Sequence, residues 1–514
     1  MDWLAALGNF LVNEILSVPA FLIGIITAVG LIALRKSLGQ IVGGAVKATL
    51  GFLLIGAGAT LVVASLAPLG TMIQGATGAQ GVIPTNEAIV GIAQAEFGAQ
   101  VSWLMILGFL VSLLLARFTP LHYVFLTGHH MLFMATLLTI VLASADYPGV
   151  VVVGLGGVLL GIVMVSLPAF AHPFTRRITG DDSIAIGHFG TLAYMSAGAV
   201  GSKVGRNSRS TEDLNLPESL RFLRDSMVAT ALSMVIMYVV LAIAYIARAG
   251  EEEAFTAFPD GATGVGDYLM QSVTQGLAFG VAVAVILFGV RTILAELVPA
   301  FQGIANKVVP GAIPALDAPI VFPYAQNAVL IGFISRFVGG LIGLFTLSVW
   351  LNPAFGLALI LPGLVPHFFT GGAAGVYGNA TGGRRGAVAG GFVNGLLITF
   401  LPALLLEVLG DFGGENTTFG DTDFGWLGIA VGYPARLEAV GIVLIALVGL
   451  VLLGAAIVYQ KRVVDAGWDP APHRGPVGGA ATPASSAATP VPAGSYPKLA
   501  PPQGAPTPPP PPTS

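Results

Sequence analysis

The sequence predicts an all-α polytopic membrane protein of about eleven transmembrane helices, with inverted repeats and re-entrant segments. Three observations predict it. Of 514 residues, 55% are hydrophobic and only 9% are charged, where a soluble protein carries about 25% charged residues. Apolar runs long enough to span a bilayer recur along the chain. One ten-residue phrase occurs twice: Gly81-Val-Ile-Pro-Thr-Asn-Glu87-Ala-Ile-Val90 is echoed by Gly311-Ala-Ile-Pro-Ala-Leu-Asp317-Ala-Pro-Ile320.

A span needs roughly 20 apolar residues, with a range of about 17–25. Residues 16–34, 41–66, 101–116, 121–143, 148–168, 226–248, 267–290, 326–350, 354–370, 387–410 and 434–459 qualify. The third and ninth are short and open to a broken or re-entrant reading. Basic residues favour the cytoplasm, and Arg35-Lys36, Arg117, Arg176-Arg177, Lys203 to Arg224, Arg291, Arg384-Arg385 and Lys461-Arg462 fall on one side of these spans. The acidic stretches Glu251 to Glu253 and Asp411 to Asp423 fall on the other. The expected orientation is an outer N-terminus and an inner C-terminus.

The predicted domains are a membrane-embedded unit over 1–460 and a Pro/Ala-rich, disordered cytoplasmic tail over 461–514. The membrane unit divides into halves of about 1–200 and 226–459, joined by a polar cytoplasmic link at 202–225. Within that link, Pro217 before Glu218 reads as a helix start, leading into the amphipathic Leu220 to Arg224. No basic region precedes the first apolar run, so no cleavable signal peptide is expected.

The repeated phrase gives the halves their relation. An Ile-Pro pair breaks a helix, and an acid inside a membrane is costly unless it serves a purpose. The echo extends upstream, where Ala64, Leu66 and Pro68 match Ala295, Leu297 and Pro299. The spans before the two copies run in opposite directions, so the copies are read as inverted, the pattern of many secondary transporters.

Six of seven histidines lie in the apolar region: His122, His129, His130, His172, His188 and His367. Those beside glycine or proline mark broken backbone, where imidazoles and free amides can meet a polar or anionic solute. The alternative for each is a bond to a neighbouring helix carbonyl. Glu87 and Asp317 are read as acceptors for hydroxyl groups of a sugar-like ligand, or as acids holding backbone amides freed at the break. Asn86 stands beside Glu87 to share that ligand. Arg291 and Glu296 are expected to be structural partners, of each other or of nearby carbonyls, and not substrate ligands, and Lys47 is expected to snorkel or pair locally.

Enzymatic signatures are absent. There is no cysteine, so no thiol nucleophile and no Cys-based metal site. No Walker loop and no Gly-x-Ser-x-Gly elbow appears, and His129-His130 has no third metal ligand at sequence spacing. A net charge of -4 gives no footprint for nucleic acid.

The chain resembles the ascorbate-type permease (IIC) component of the bacterial phosphoenolpyruvate-dependent sugar phosphotransferase system over roughly residues 10–460. The resemblance is carried by Leu34-Arg-Lys-Ser37, Leu126-Thr-Gly-His129, Ser183-Ile-Ala-Ile-Gly-His188, Asp213-Leu-Asn-Leu-Pro217, Gly289-Val-Arg291, Ala295-Glu-Leu297, Pro310-Gly-Ala312 and Ile360-Leu-Pro-Gly-Leu-Val-Pro366. It implies a core domain that holds the solute, a second domain for dimerisation, and an elevator-type motion. It also implies separate IIB and IIA partners, with phosphorylation of the solute by IIB. The chain would then be a multi-pass inner-membrane homodimer and not an enzyme by itself, with no cofactor. Carried over by motif, the substrate-binding positions are Asn86, Glu87, His129, His130, Met131, Leu132, Phe133, His188, Phe189 and Asp317. Phe133 and Phe189 replace the glutamines of ascorbate binders, and Asn86-Glu87 replaces a hydroxyl-bearing pair, so another sugar, polyol or sugar acid is open as substrate. An ion-coupled transporter or facilitator for a small polar or anionic solute is the alternative, with Glu87, Asp317 and the histidines relaying protons.

Overall fold

A computed structural model describes residues 18–214 and 226–474. The helix start at Pro217, the amphipathic Leu220 to Arg224 and the tail beyond 474 lie outside the described residues.

Helix α1 (Pro19–Ala33) begins with proline in its first turn, where the missing N–H has no partner to lose. Helix α2 (Leu38–Thr77) opens on a capping box in which Ser37 and Gln40 satisfy each other's backbone amides. It stops at Gly78, whose φ of 79° is left-handed. Strand β1 (Gly81–Pro84), α3 (Asn86–Phe118), β2 (Tyr123–Phe125), α4 (Gly128–Ala143), α5 (Gly149–Thr179), β3 (Ala185–Ile186) and α6 (Thr191–Val204) follow. After the link come α7 (Ser226–Ala249), α8 (Val265–Val308) and β4 (Ile313–Leu316). A 3-10 turn over Ala318–Tyr324 leads to α9 (Gln326–Thr346), β5 (Leu359–Ile360), α10 (Leu364–Leu405), β6 (Thr417–Thr418), α11 (Thr422–Ala435) and α12 (Glu438–Tyr459).

Among the described residues, eight helices are long and apolar enough to cross a membrane: α2, α3, α5, α7, α8, α9, α10 and α12. The apolar α1 and α4 are shorter. The expected span at 354–370 is not one helix. A short helix ends at Phe355, Gly356 turns at φ 72°, and β5 precedes the start of α10 at Leu364. The expected span at 387–410 is instead the second part of α10, which breaks at Gly383 with φ 57° and ψ -149°. A side chain there would be strained and would collide with the Ser208 and Arg209 carbonyls.

The helices pack in two groups. Helices α1, α2, α7 and α8 contact one another, and α3 to α6 contact α9 to α12. Close approach of α2 and α8 depends on Gly51, where a Cβ would come 2.7 Å from the Gly289 carbonyl oxygen. On the same pair of helices, Lys47 Nζ bridges to Glu296 Oε1 at 2.9 Å. That corrects the sequence reading of both residues. Glu296 pairs with Lys47 across helices instead of with Arg291 on its own helix.

The two Ile-Pro phrases become strands. Residues before proline favour extended backbone, and broken backbone between membrane-length helices must find its hydrogen bonds inside the protein. Strand β1 lies between β5 and β6, all parallel, with Val82 opposite Ile360 and Ile83 opposite Thr417. Strand β4 lies between β2 and β3, also parallel, with Val124 opposite Pro314 and Ile186 opposite Leu316. Each central strand therefore takes both neighbours from the other part of the chain.

The chain does not leave this unit at 461. Arg177 Nη1 holds Asp469 Oδ2 at 2.7 Å, and Arg474 Nη1 donates to the Gly205 carbonyl at 2.7 Å. The ordered unit extends past the sequence boundary because the buried stems of Arg176 and Arg177 supply donors for it.

Candidate functional site

Each strand feeds a helical N-terminus, giving six strand-to-helix junctions among the described residues. A helix start carries free N–H groups and partial positive charge, so six such ends make a polar patch inside an apolar protein. The acids answer that need. Asp423 accepts hydrogen bonds from Thr191 N–H at 2.6 Å and Leu192 N–H at 3.1 Å, capping α6 from another helix. Asp317 accepts from Ala318 N–H at 2.7 Å. Asn86 Oδ1 accepts from Gly420 N–H at 2.8 Å, and its Nδ2 donates to Asp421 Oδ2 at 2.7 Å.

A cavity of about 830 Å³ lies between these junctions and the facing sides of α7 and α8. Asn86, Glu87, His129, His130, Phe133, His188 and Asp317 all line it. Asp317 stands between two imidazoles, with His129 Nε2 3.5 Å from Oδ2 and His188 Nε2 3.9 Å from Oδ1. The His130 and His188 rings lie 3.7 Å apart between centroids. Phe133 meets His129 edge-on at 5.7 Å, so it supports the imidazole.

Met131, Leu132 and Phe189 belong to the packed core instead of the cavity wall. Met131 is buried in that core and Leu132 packs against it. Phe189 stacks on Phe125 at 5.1 Å. Of the remaining histidines, His122 Nδ1 contacts the Ala116 carbonyl at 2.9 Å and His172 Nε2 contacts Asp182 at 2.7 Å. Both take the structural role. The His367 side chain lies outside the described residues.

Sequence reasoning missed Asp421 and misplaced Arg291, and both line the cavity. Asp421 and Asp423 were counted with an outer acidic stretch, yet they are 3% and 0% exposed. A signal was present: Asp421 follows the Thr417-Thr418 strand closely, as Asp317 follows β4.

Third ligands absent at sequence spacing are present in space. Ligand atoms of His129, His130 and Asp317 lie within 4.8 Å of one another, as do those of His130, His188 and Asp421. The hydrogen bonds oppose a metal. Gly190 N–H donates to His188 Nδ1 at 3.0 Å, with the Tyr194 hydroxyl also 3.0 Å away. A backbone N–H only donates, so Nδ1 carries the lone pair and neutral His188 bears its proton on Nε2. A metal-ligating histidine has the reverse arrangement, donating its second N–H to an acceptor. Phe189 N–H donates to His130 Nδ1 at 3.5 Å in the same sense. The two imidazoles thus present hydrogen-bond donors.

Residues 14–423 match the family model described as PTS system sugar-specific permease component. An "Ascorbate-specific PTS system EIIC component" of Mycoplasma pneumoniae is 27% identical over 417 residues, which cover 73% of this chain and 63% of that relative. The match therefore spans less than two thirds of the relative's own length.

Proposed function

The chain belongs to the family of sugar-specific permease components of the phosphotransferase system, and on that premise we propose that it imports a small polyhydroxylated solute, ascorbate or a related sugar or sugar acid, which a separate IIB protein phosphorylates on release. The observation that carries the reading is the cavity of about 830 Å³ in which Asp317, His129 and His188 converge. It falls in the size range of small-molecule sites, with a few convergent polar groups on largely apolar walls. Imidazole donors and carboxyl acceptors are the partners that solute hydroxyls require. None of the 514 residues is a cysteine, so none of them can carry a phosphocysteine, which fits a separate IIB charged by IIA.

The mechanism we infer is of the elevator type. The cavity separates the two helix groups, so sliding α3 to α6 and α9 to α12 past α1, α2, α7 and α8 would carry the solute with its site intact. The matching plans of the two sheets support an inverted repeat, each half lending two strands to the other's Ile-Pro strand. The four-helix group would be the dimerisation domain. The outer face of its α2 carries exposed Val46, Leu50, Leu53 and Leu61. Orientation follows the basic residues, with the C-terminus inside.

Uptake of labelled solute in cells deleted for the cognate IIB tests the coupling. We expect accumulation to collapse. Undiminished accumulation, abolished instead by a protonophore, would replace this reading with an ion-coupled transporter.

A further inference from the structure

The transport reading leaves the chemical class of the solute open, and the inference here rests on that reading and narrows it. The cavity lining combines two kinds of group. His188 and His130 present Nε2–H donors beside Asp317. Close to them stand Glu87 and Asp421, which are 8% and 3% exposed, with an Asp421 carboxyl oxygen within 4.8 Å of a ring nitrogen of both His130 and His188. Among the described residues, Glu87 Oε2 and Asp421 Oδ1 are buried without a hydrogen-bond partner. Buried polar oxygens are nearly always paired, because an unpaired one forfeits its hydration. Asn86 takes Asp421 Oδ2 and Gly420 N–H together, which fixes the Asp421 carboxyl and leaves its second oxygen over. Both residues line the cavity, so a donor arriving in the cavity is the partner they lack.

We propose that Glu87 and Asp421 form an acceptor pair for two hydroxyl groups of an uncharged polyol, and that the cavity thereby selects polyols over the corresponding anionic sugar acids. A hydroxyl both donates and accepts, so one polyol satisfies both kinds of group, giving hydrogen to the carboxyl oxygens and taking it from the imidazoles. A carboxylate only accepts. It could complement the imidazoles but would leave Glu87 and Asp421 unpaired.

The experiment is a set of matched titrations on the purified full-length protein. Sorbitol, mannitol and xylitol are compared with gluconate, mannonate and xylonate, and ascorbate is added as a further anion. We expect the neutral member of at least one pair to bind about tenfold or more tightly than its acid, the scale of one unpaired buried group. Asp421→Asn should narrow that ratio, since its amide can donate to the acid. An acid or ascorbate binding as tightly as every polyol would overturn the inference while leaving the transport reading in place. So would a ratio that Asp421→Asn leaves unchanged. Binding by neither class would overturn the inference, and if glucose, mannose and xylose also fail to bind, the transport reading falls with it.

Discussion

At the first Ile-Pro break, Glu87 is 8% exposed, and its neighbour Asn86 is engaged by Asp421 and by Gly420 N–H. At the second break, 39% of the Asp317 side chain is exposed, and the acid stands between His129 and His188. The same local phrase built both places: an extended strand, then a helical start. What differs is what the rest of the chain brings to each. The segment after β6 brings Asp421 to the first break, and the starts of α4 and α6 bring imidazoles to the second. The first break is therefore a clasp between distant segments as well as a cavity wall, whereas the second opens more fully to the cavity.

Exchanging the roles of the two places is the strongest way to break this comparison. Asn86→Ala removes both partners of the clasp and strands buried polar groups, so we expect a stability loss of about 1–3 kcal/mol. Thermal unfolding in detergent would read it. Asp317→Asn should leave the melting temperature nearly unchanged and weaken solute binding by about 1–3 kcal/mol, measured by titration. A destabilised Asp317→Asn with intact binding would reverse the assignment. His129→Ala should resemble Asp317→Asn, because both remove one side of the same contact.

Smaller effects sharpen the picture. Phe133→Leu keeps apolar bulk but removes the edge contacts to His129 and His130, and should weaken binding by about 0.5–1.5 kcal/mol. A larger loss would mean that the ring itself touches the solute. Glu296→Gln breaks the bridge to Lys47, whose side chain is 63% exposed, so its effect on unfolding should stay below about 1 kcal/mol. A larger value would show that α2 and α8 are held by that pair as well as by glycine packing at Gly51 and Gly289.

The long apolar helices were legible because length and hydropathy are local properties, as in α2, α5 and α12. Two fourteen-residue helices, α6 and α11, escaped notice. Each is too short to span and is preceded by a two-residue strand that leaves no periodic trace. The Gly383 break inside α10 was equally hidden, since that helix holds many glycines and Gly383 is the one inside it with a non-helical φ and ψ. Within the site, Asp317, His129 and His188 stood out because a polar residue beside a backbone breaker is conspicuous in an apolar sequence. Asp421 did not, since it lies in a stretch already rich in acids.

Sequence alone determined that this chain is a membrane protein with broken helices, and that polar residues gather at the breaks. Those conclusions rest on transfer free energy and on proline geometry, which act residue by residue. Only tertiary structure decided which breaks meet. Asn86 and Asp421 are 335 residues apart, and Asp317 reaches His129 and His188 only because β4 pairs with β2 and β3. Strand pairing at a break is set by which unsatisfied backbone lies nearest in the folded chain, and that is a property of the whole packing.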